Sequence, residues 1–192
     1  MGKKIVIVGG VAGGATAAAR LRRLDESAEI IVLERTGFVS YANCGLPYYV
    51  GGVIPEKSSL TLQSPESFRI RFNIDVRVLS EVTAIDRESK TVAVRNLATG
   101  EEYSLPYDKL ILSPGAKAMV PDTPGVHSKR VLKLRTVEDA LEMRRIVEEE
   151  KPERAVVVGG GFIGLEAAEN LMEAGVKVTL LQRSEQVLPP LD

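Results

Sequence analysis

The stretch KIVIVGGVAGG, residues 4–14, decides the fold that this chain can form. Its first five residues are mostly apolar and β-branched, as in a strand buried within a parallel sheet. A glycine-rich turn follows directly, and the alanine- and arginine-rich run after it predicts a helix over residues 15–24. A second apolar run, residues 29–33, predicts another buried strand that ends at Glu34. This order of elements predicts a βαβ unit.

The turn of this unit matches the fingerprint of a dinucleotide-binding site. Gly9 permits the tight turn, and Gly14 lets the helix approach the strand. The helix N-terminus offers free N–H groups and a partial positive charge to a pyrophosphate. Glu34 follows at the spacing where a carboxylate accepts hydrogen bonds from ribose hydroxyls. Val11 replaces the middle glycine of the fingerprint, and its side chain narrows the space through which the phosphates approach. The plainer alternative to a nucleotide-binding site is a glycine-rich turn that binds no ligand.

The same arrangement occurs again near the end of the chain. Residues 154–158 and 176–181 predict strands, GGGFIG at residues 159–164 is a complete fingerprint, and a helix follows to Ala174. The chain therefore contains two nucleotide-binding units about 150 residues apart. A parallel sheet needs both of its faces covered, and a single βαβ unit with two strands cannot do this. We therefore expect the chain to belong to a longer protein.

The region between the two units predicts a mixed set of elements. A helix should begin at the N-cap Ser64 and run to about Phe72, and another should begin at the N-cap Thr136 and run to about Glu150. Short strands at 75–80, 82–86, 91–95 and 101–105 predict a small antiparallel sheet, and residues 110–112 predict a further buried strand. The whole pattern indicates an α/β fold: a Rossmann-like βαβ domain with an inserted antiparallel sheet, then the first βαβ unit of a second domain.

Composition excludes several classes of function. The chain has 192 residues and a formal net charge of −1, without a run of one sign that would favour nucleic acid or an anionic membrane. A single cysteine and a single histidine leave no zinc site. No apolar run approaches the ~20 residues of a membrane span. One cysteine cannot form an internal disulfide, so no oxidising compartment is needed and we expect a cytoplasmic protein.

That single cysteine, Cys44, lies in SYANCGLPYY, residues 40–49. A lone cysteine is often a small buried hydrophobe, which is the plain alternative here. This one follows a nucleotide-binding unit and is predicted to begin a helix, so we interpret it as a redox centre. With no second cysteine in the chain, the partner sulfur would have to come from a substrate.

Two fingerprints with an isolated cysteine soon after the first resemble the flavoprotein pyridine nucleotide-disulfide oxidoreductases. The stretch around Cys44 is similar to the single-cysteine branch of this family, especially to the coenzyme A-disulfide reductases. The resemblance implies that residues 1–118 are the first segment of an FAD-binding domain. Residues 119–150 would then be a connection and helix, and 151–192 the truncated start of an NAD(P)H-binding domain.

The resemblance also implies site residues. For FAD they are Gly9, Gly10, Val11, Ala12, Gly13, Gly14, Glu34, Arg35, Asn43, Val82, Ser113, Pro114 and Gly115. In the second unit the cofactor-binding residues would be Gly159, Gly161, Phe162, Ile163, Gly164, Glu166 and Arg183, with Phe162 as a lid over the flavin and Glu166 near its reactive edge. The substrate's nucleotide tail would contact Thr16, Arg20, Arg23, Ser40 and Asn43.

The implied reaction passes electrons from NAD(P)H through FAD to a coenzyme A disulfide or persulfide, by way of a mixed disulfide on Cys44. The complete protein would be a homodimer. Gln182 stands where an acid would favour NADH, and Arg183 beside it favours NADPH. One alternative is an oxidase or peroxidase that cycles Cys44 as a sulfenic acid. The other is a nucleotide-binding module without turnover, and we expect these 192 residues alone to be inactive.

Overall fold

The computed structural model describes residues 2–188. Contacts divide the chain into two compact units, Met1–Tyr41 with Thr61–Ala116, and Ala42–Leu60 with Lys117–Asp192. The segment that carries Cys44 therefore belongs to the second unit by packing. The domain boundaries expected from the sequence concern which nucleotide each segment would bind, and they stay a prediction.

The first unit is built on a four-stranded parallel sheet of β1 (Lys4–Val8), β2 (Glu29–Leu33), β3 (Asp75–Arg77) and β7 (Lys109–Leu112). The strand order across this sheet is β3-β2-β1-β7. Helix α1 (Ala12–Leu24) connects β1 to β2 and begins three residues earlier than predicted. Backbone N–H groups of the glycine turn itself thus form the first helical turn.

The prediction that residues 75–80 belong to the antiparallel sheet is wrong. Helix α3 (Pro65–Phe72), capped by Ser64 as expected, forms a crossover, and β3 then pairs parallel to β2. Phe68 and Ile74 explain this, because both are buried in the same core cluster as Ile30. Burial of these side chains places the following strand at the edge of the parallel sheet, a long-range effect that strand propensity cannot report.

A three-stranded antiparallel sheet covers one face of the parallel sheet, which confirms the predicted insertion. Its strands are β4 (Ser80–Asp86), β5 (Thr91–Asn96) and β6 (Glu102–Pro106), in that order. Val92, Val94 and Leu105 from these strands pack in one cluster with residues of β1 and β2. Helices α1 and α3 cover the opposite face, so the first unit has three layers.

The described residues of the second unit form three α-helices and a two-stranded parallel sheet. The elements are α2 (Leu46–Gly51), α4 (Val137–Arg145), β8 (Arg154–Val158), α5 (Phe162–Glu173) and β9 (Lys177–Leu181). A capping box between Thr136 and Asp139 begins α4 at the predicted N-cap. A π-helical turn, Ile146–Glu150, continues α4 to the predicted end.

Edge strands are less buried than their apolar sequences indicate. Leu112 of β7 is 58% exposed, so the prediction of a buried strand over residues 110–112 is only partly right. In β8, Val156 and Val158 are 61% and 77% exposed, while the alternate residues are partly buried against α5. No helix within residues 2–188 is long and apolar enough to span a membrane.

Candidate active site and nucleotide-binding sites

The first glycine turn is packed so closely that side chains are excluded. Gly9 has φ +95°, and its N–H donates to the carbonyl of Leu33 at 2.8 Å. A Cβ on Gly14 would lie 1.8 Å from the Gly9 carbonyl oxygen. The start of α1 has no side-chain cap and no acidic residue in its first turn. Its free N–H groups, on the exposed Ala12 and Gly13, are therefore open to an anion.

Glu34 is buried directly beneath this turn. One carboxylate oxygen accepts the Gly10 N–H at 2.8 Å, and the other accepts the Thr36 N–H and hydroxyl at 2.8 and 2.9 Å. A carboxylate has about four acceptor positions, so it can also accept a ribose hydroxyl. Thr36 was missed by sequence reasoning; a hydroxyl residue two places after the strand-end acid is the signal that could have found it. Arg35 is exposed and 3.8 Å from Glu81.

The turn after β7 lies against the first glycine turn. The N–H of Ser113 donates to the carbonyl of Val8 at 2.7 Å. A Cβ on Gly13 would meet the Ser113 hydroxyl at 2.4 Å. The structure thus brings Ser113 to the predicted site, followed by the exposed Pro114 and Gly115. Val82 is half-buried in β4, and its contact with adenine stays a prediction.

Three predicted substrate-binding residues share one exposed face of α1. Thr16, Arg20 and Arg23 are spaced by four and three residues, which places them one above another on the helix. Arg22 points elsewhere and donates to four carbonyls at the ends of α1 and α3. Ser40 has φ +48°, and its N–H donates to the carbonyl of Gly10 at 2.9 Å.

Cys44 lies in the second unit with an exposed, unpaired thiol. It is in a 3-10 turn, Asn43–Gly45, and α2 begins only at Leu46. The prediction that Cys44 begins the helix is therefore wrong by two residues. Proline at the second position of α2 fits the helix start, since that N–H needs no partner. The side-chain oxygen of Asn43 is buried and has no hydrogen-bond partner among the described residues.

The second glycine turn repeats the geometry of the first. Gly159 has φ +107°, and its N–H donates to the carbonyl of Leu181 at 2.8 Å. A Cβ on Gly164 would lie 1.9 Å from the Gly159 oxygen. Gln182 accepts the Gly160 N–H at 2.8 Å, as Glu34 does for Gly10. The predicted repeat is thus present in hydrogen bonds as well as in sequence.

Residues around this second turn differ in exposure. Phe162 and Ile163 begin α5 and are 61% and 55% exposed, whereas Glu166 is half-buried one turn later. Arg183 is exposed next to Gln182. A Cβ on Gly161 would meet no atom of the described chain within 4 Å, so the turn is open there. Residues 2–188 contain no cluster of three His, Cys, Asp or Glu side chains that could hold a metal.

The two glycine turns and the exposed cysteine thus occur together in one chain. Residues 3–192 match the family model of the pyridine nucleotide-disulphide oxidoreductases, and the chain belongs to this family. It is similar to the coenzyme A disulfide reductase of Staphylococcus haemolyticus (strain JCSC1435), with 42% identity over 99% of the chain and 42% of that protein. The chain therefore spans less than half the length of this relative.

Solved structures give the same picture. Reduced Bacillus anthracis CoADR-RHD superposes with a TM-score of 0.98 and 53% identity, covering 100% of this chain and 35% of that one. An NAD-dependent persulfide reductase from A. fulgidus superposes with a TM-score of 0.92 and 40% identity, covering 97% of this chain and 34% of that one. The water-forming NADH oxidase from Lactobacillus brevis, bound to NADH, superposes with a TM-score of 0.90 and 32% identity, covering 97% of this chain and 41% of that one. The Rossmann-type α/β fold expected from the sequence is thus confirmed.

Proposed function

We propose that the complete protein is a flavin-dependent reductase that uses NAD(P)H to reduce coenzyme A disulfide or persulfide at Cys44. One observation carries this proposal: the exposed Cys44 thiol is the only sulfhydryl of a chain that also contains two dinucleotide turns. The 42% identity to a coenzyme A disulfide reductase supports it.

The first unit fits FAD. The uncapped start of α1 can bind a pyrophosphate. The turn before it requires glycine at positions 9 and 14, because a Cβ there would overlap the carbonyl oxygens of Ser113 and Gly9. Glu34 would accept a ribose hydroxyl. When bound, FAD would supply two-electron transfer between a nicotinamide hydride and sulfur.

Cys44 would provide the sulfur chemistry. Its thiolate attacks one sulfur of the substrate disulfide, so that a Cys44–substrate disulfide forms and coenzyme A leaves as a thiolate. Two electrons and a proton then cleave this mixed disulfide and release the second coenzyme A, returning Cys44 to the thiolate. Cys44 has no second cysteine to pair with among these 192 residues, so the intermediate that we propose contains the substrate's own sulfur.

The cationic face of α1 would bind the phosphates of the substrate. Arg20 and Arg23 are both exposed and lie on one side of the helix with Thr16. Guanidinium groups bind phosphate through paired hydrogen bonds, which suits the nucleotide tail of coenzyme A. Ser40 and Asn43 would contact the same substrate. The orphaned oxygen of Asn43 can accept one donor from it.

The second unit favours NADPH over NADH. The Gln182 oxygen is used by Gly160, and its amide nitrogen donates to Ser184 at 2.5 Å. Position 182 therefore carries no carboxylate that would repel a 2′-phosphate, and the exposed Arg183 can pair with it. Gln182→Glu should move the ratio of kcat/KM values towards NADH, and Arg183→Ala should weaken NADPH use. Unchanged ratios in both variants would contradict the preference.

Disulfide-dependent NAD(P)H consumption by the complete protein tests the function. We expect turnover with coenzyme A disulfide, loss of that turnover in Cys44→Ser, and no change in the matched control Ser59→Ala, an exposed residue of the same unit. Similarity to a water-forming NADH oxidase favours one alternative, in which Cys44 cycles as a sulfenic acid. Consumption driven by oxygen or peroxide, with dimedone labelling of Cys44, would support that alternative and sink the disulfide reductase.

The remaining expectations follow from the same proposal. The complete protein is a homodimer that works in a reducing compartment such as the cytoplasm, where an isolated thiol stays reduced. Sedimentation of the purified complete protein checks the dimer. The 192 residues alone are a nucleotide-binding module without turnover.

A further inference from the structure

The segment that carries Cys44 needs support from outside itself. Helix α2 has only six residues, and a helix that short is not stable alone in water. Cys44 lies two residues before this helix, so the position of its thiol depends on what holds α2. Helices α4 and α5 of the same unit supply the contacts.

Arg144 on α4 binds the C-terminal end of α2. Its Nη1 donates to the carbonyl of Tyr49 at 2.8 Å, and the guanidinium carbon lies 5.6 Å from the centre of the Tyr49 ring. Glu148 accepts hydrogen bonds from Nε and Nη2 of Arg144 at 2.5 Å each, which fixes the orientation of the guanidinium group. A cation that bonds a last-turn carbonyl stabilises a helix C-terminus. The Arg144 side chain is only 19% exposed, so water competes weakly for these bonds.

Asn170 on α5 contacts the same helix end from another side. A Cβ on Gly51 would lie 2.7 Å from both the Cβ and the carbonyl oxygen of Asn170, so the two helices touch through a glycine. Asn170 is 1% exposed, and its amide nitrogen donates to the carbonyl of Glu166 at 2.8 Å. Its side-chain oxygen has no partner among residues 2–188. A buried amide oxygen without a partner lowers stability, so its presence indicates that this contact requires the shape of the asparagine side chain.

We propose that Arg144 and Asn170 are positioning residues that set the location of the Cys44 thiol by fixing α2 on α4 and α5. The inference rests on the proposed function of Cys44 and names residues that no nucleotide fingerprint includes. Helix α5 begins at the second glycine turn and reaches Asn170 two turns later, about 12 Å along its axis. The thiol is thus held by the helix whose N-terminus would bind the pyridine nucleotide.

A reporter on the thiol itself tests this positioning. Cys44 of the complete protein is converted to its ¹³C-methyl disulfide, and the methyl resonance is recorded by NMR without nucleotides. Arg144→Gln and Gly51→Ala should shift or broaden this resonance, and Arg144→Lys should restore it in part. The matched control is Arg145→Gln, because Arg145 is on the same helix and pairs with the exposed Glu142, Glu149 and Glu150.

Hydrogen exchange supplies a second readout. The Gly52 N–H donates to Tyr49 and the Ile54 N–H donates to Tyr48. In Arg144→Gln, exchange of these two amides should rise about tenfold, because a hydrogen bond to a charged group is lost. The methyl resonance is read on folded protein, so a general loss of stability does not move it.

Each outcome decides the inference. A shifted methyl resonance in Arg144→Gln and Gly51→Ala, with none in Arg145→Gln, supports positioning. An unchanged resonance overturns it, even when hydrogen exchange rises, because the helix end would then be loosened without moving the thiol. The measurement needs no electron transfer, so its failure is distinguishable from a failure of disulfide reduction.

Discussion

Replacing Glu34 with glutamine separates two functions of one carboxylate: support of the glycine turn and acceptance of a ribose. Both carboxylate oxygens accept hydrogen bonds, one from Gly10 and the other from Thr36. A glutamine side chain has only one oxygen. If it faces Gly10, its NH₂ group faces the N–H of Thr36, and two donors then meet.

The structure sets the size of the effect. One charge-assisted bond is lost and one partly buried N–H is left unpaired, which costs about 2 kcal/mol. With a urea m-value near 2 kcal/mol/M, the unfolding midpoint falls by about 1 M. Position 182 accommodates an amide without this cost, because its NH₂ group faces the hydroxyl of Ser184 and the carbonyl of Gln186.

Urea unfolding of Glu34→Gln, followed by circular dichroism, measures this loss. The control is Glu26→Gln, which removes the same charge from an exposed side chain of the same unit and should change stability by less than about 0.5 kcal/mol. Hydrogen exchange at Gly10 and Thr36 locates the effect. Equal midpoints for the two variants, with unchanged exchange at both amides, would refute the role of the carboxylate in the turn.

Three further predictions address other parts of the chain. Gly164→Ala should destabilise the protein by about 3 kcal/mol, since its Cβ would overlap a carbonyl oxygen. Gly161→Ala adds a Cβ that meets no atom, and at this N-cap of α5 it should cost at most about 1 kcal/mol, both measured as the thermal midpoint. Arg22→Met removes four hydrogen bonds to carbonyls and should lower the free energy of unfolding by about 2 kcal/mol, measured in urea. Arg145 lowers the pKa of Glu142 below its ordinary value of 4.5 by a side-chain hydrogen bond. The stabilisation from this hydrogen bond is present above the pKa of Glu142 in the unfolded chain, and it is lost as pH falls through the lower pKa of the folded protein. Arg145→Gln should therefore make the free energy of unfolding fall less steeply as pH drops from about 6 to about 3.

Local patterns in the sequence were enough for much of the fold. The two glycine turns, the N-caps Ser64 and Thr136, and the first two strands all follow from residues that interact within a few positions of one another. The spacing of Glu34 from its turn predicted a carboxylate that accepts ribose hydroxyls, which stays a prediction, and the structure adds a hydrogen bond from the Gly10 N–H to that carboxylate. These features depend on backbone conformation and capping, which short sequence windows encode.

Long-range packing was beyond such windows. Strand β3 joined the parallel sheet because Phe68 and Ile74 are buried together, and neither residue carries a signal for strand order. Arg144 and Tyr49 are 95 residues apart, and nothing in the intervening composition connects them. Cys44 likewise follows the first nucleotide turn in the sequence, but contacts with distant residues pack it in the second unit.

The segment Ala42–Leu60 leaves the first unit and returns to it at nearly the same point. Tyr41 and Thr61 form an isolated antiparallel bridge, and the N–H of Ala42 donates to the carbonyl of Leu60 at 2.8 Å. The two ends of the excursion are therefore fastened together. A closed loop can change its length and chemistry with little effect on the strands that flank it. Transplanting residues 42–60 between relatives would therefore spare the first unit, but it would move the cysteine without Arg144 and Asn170, which contact the helix beside it.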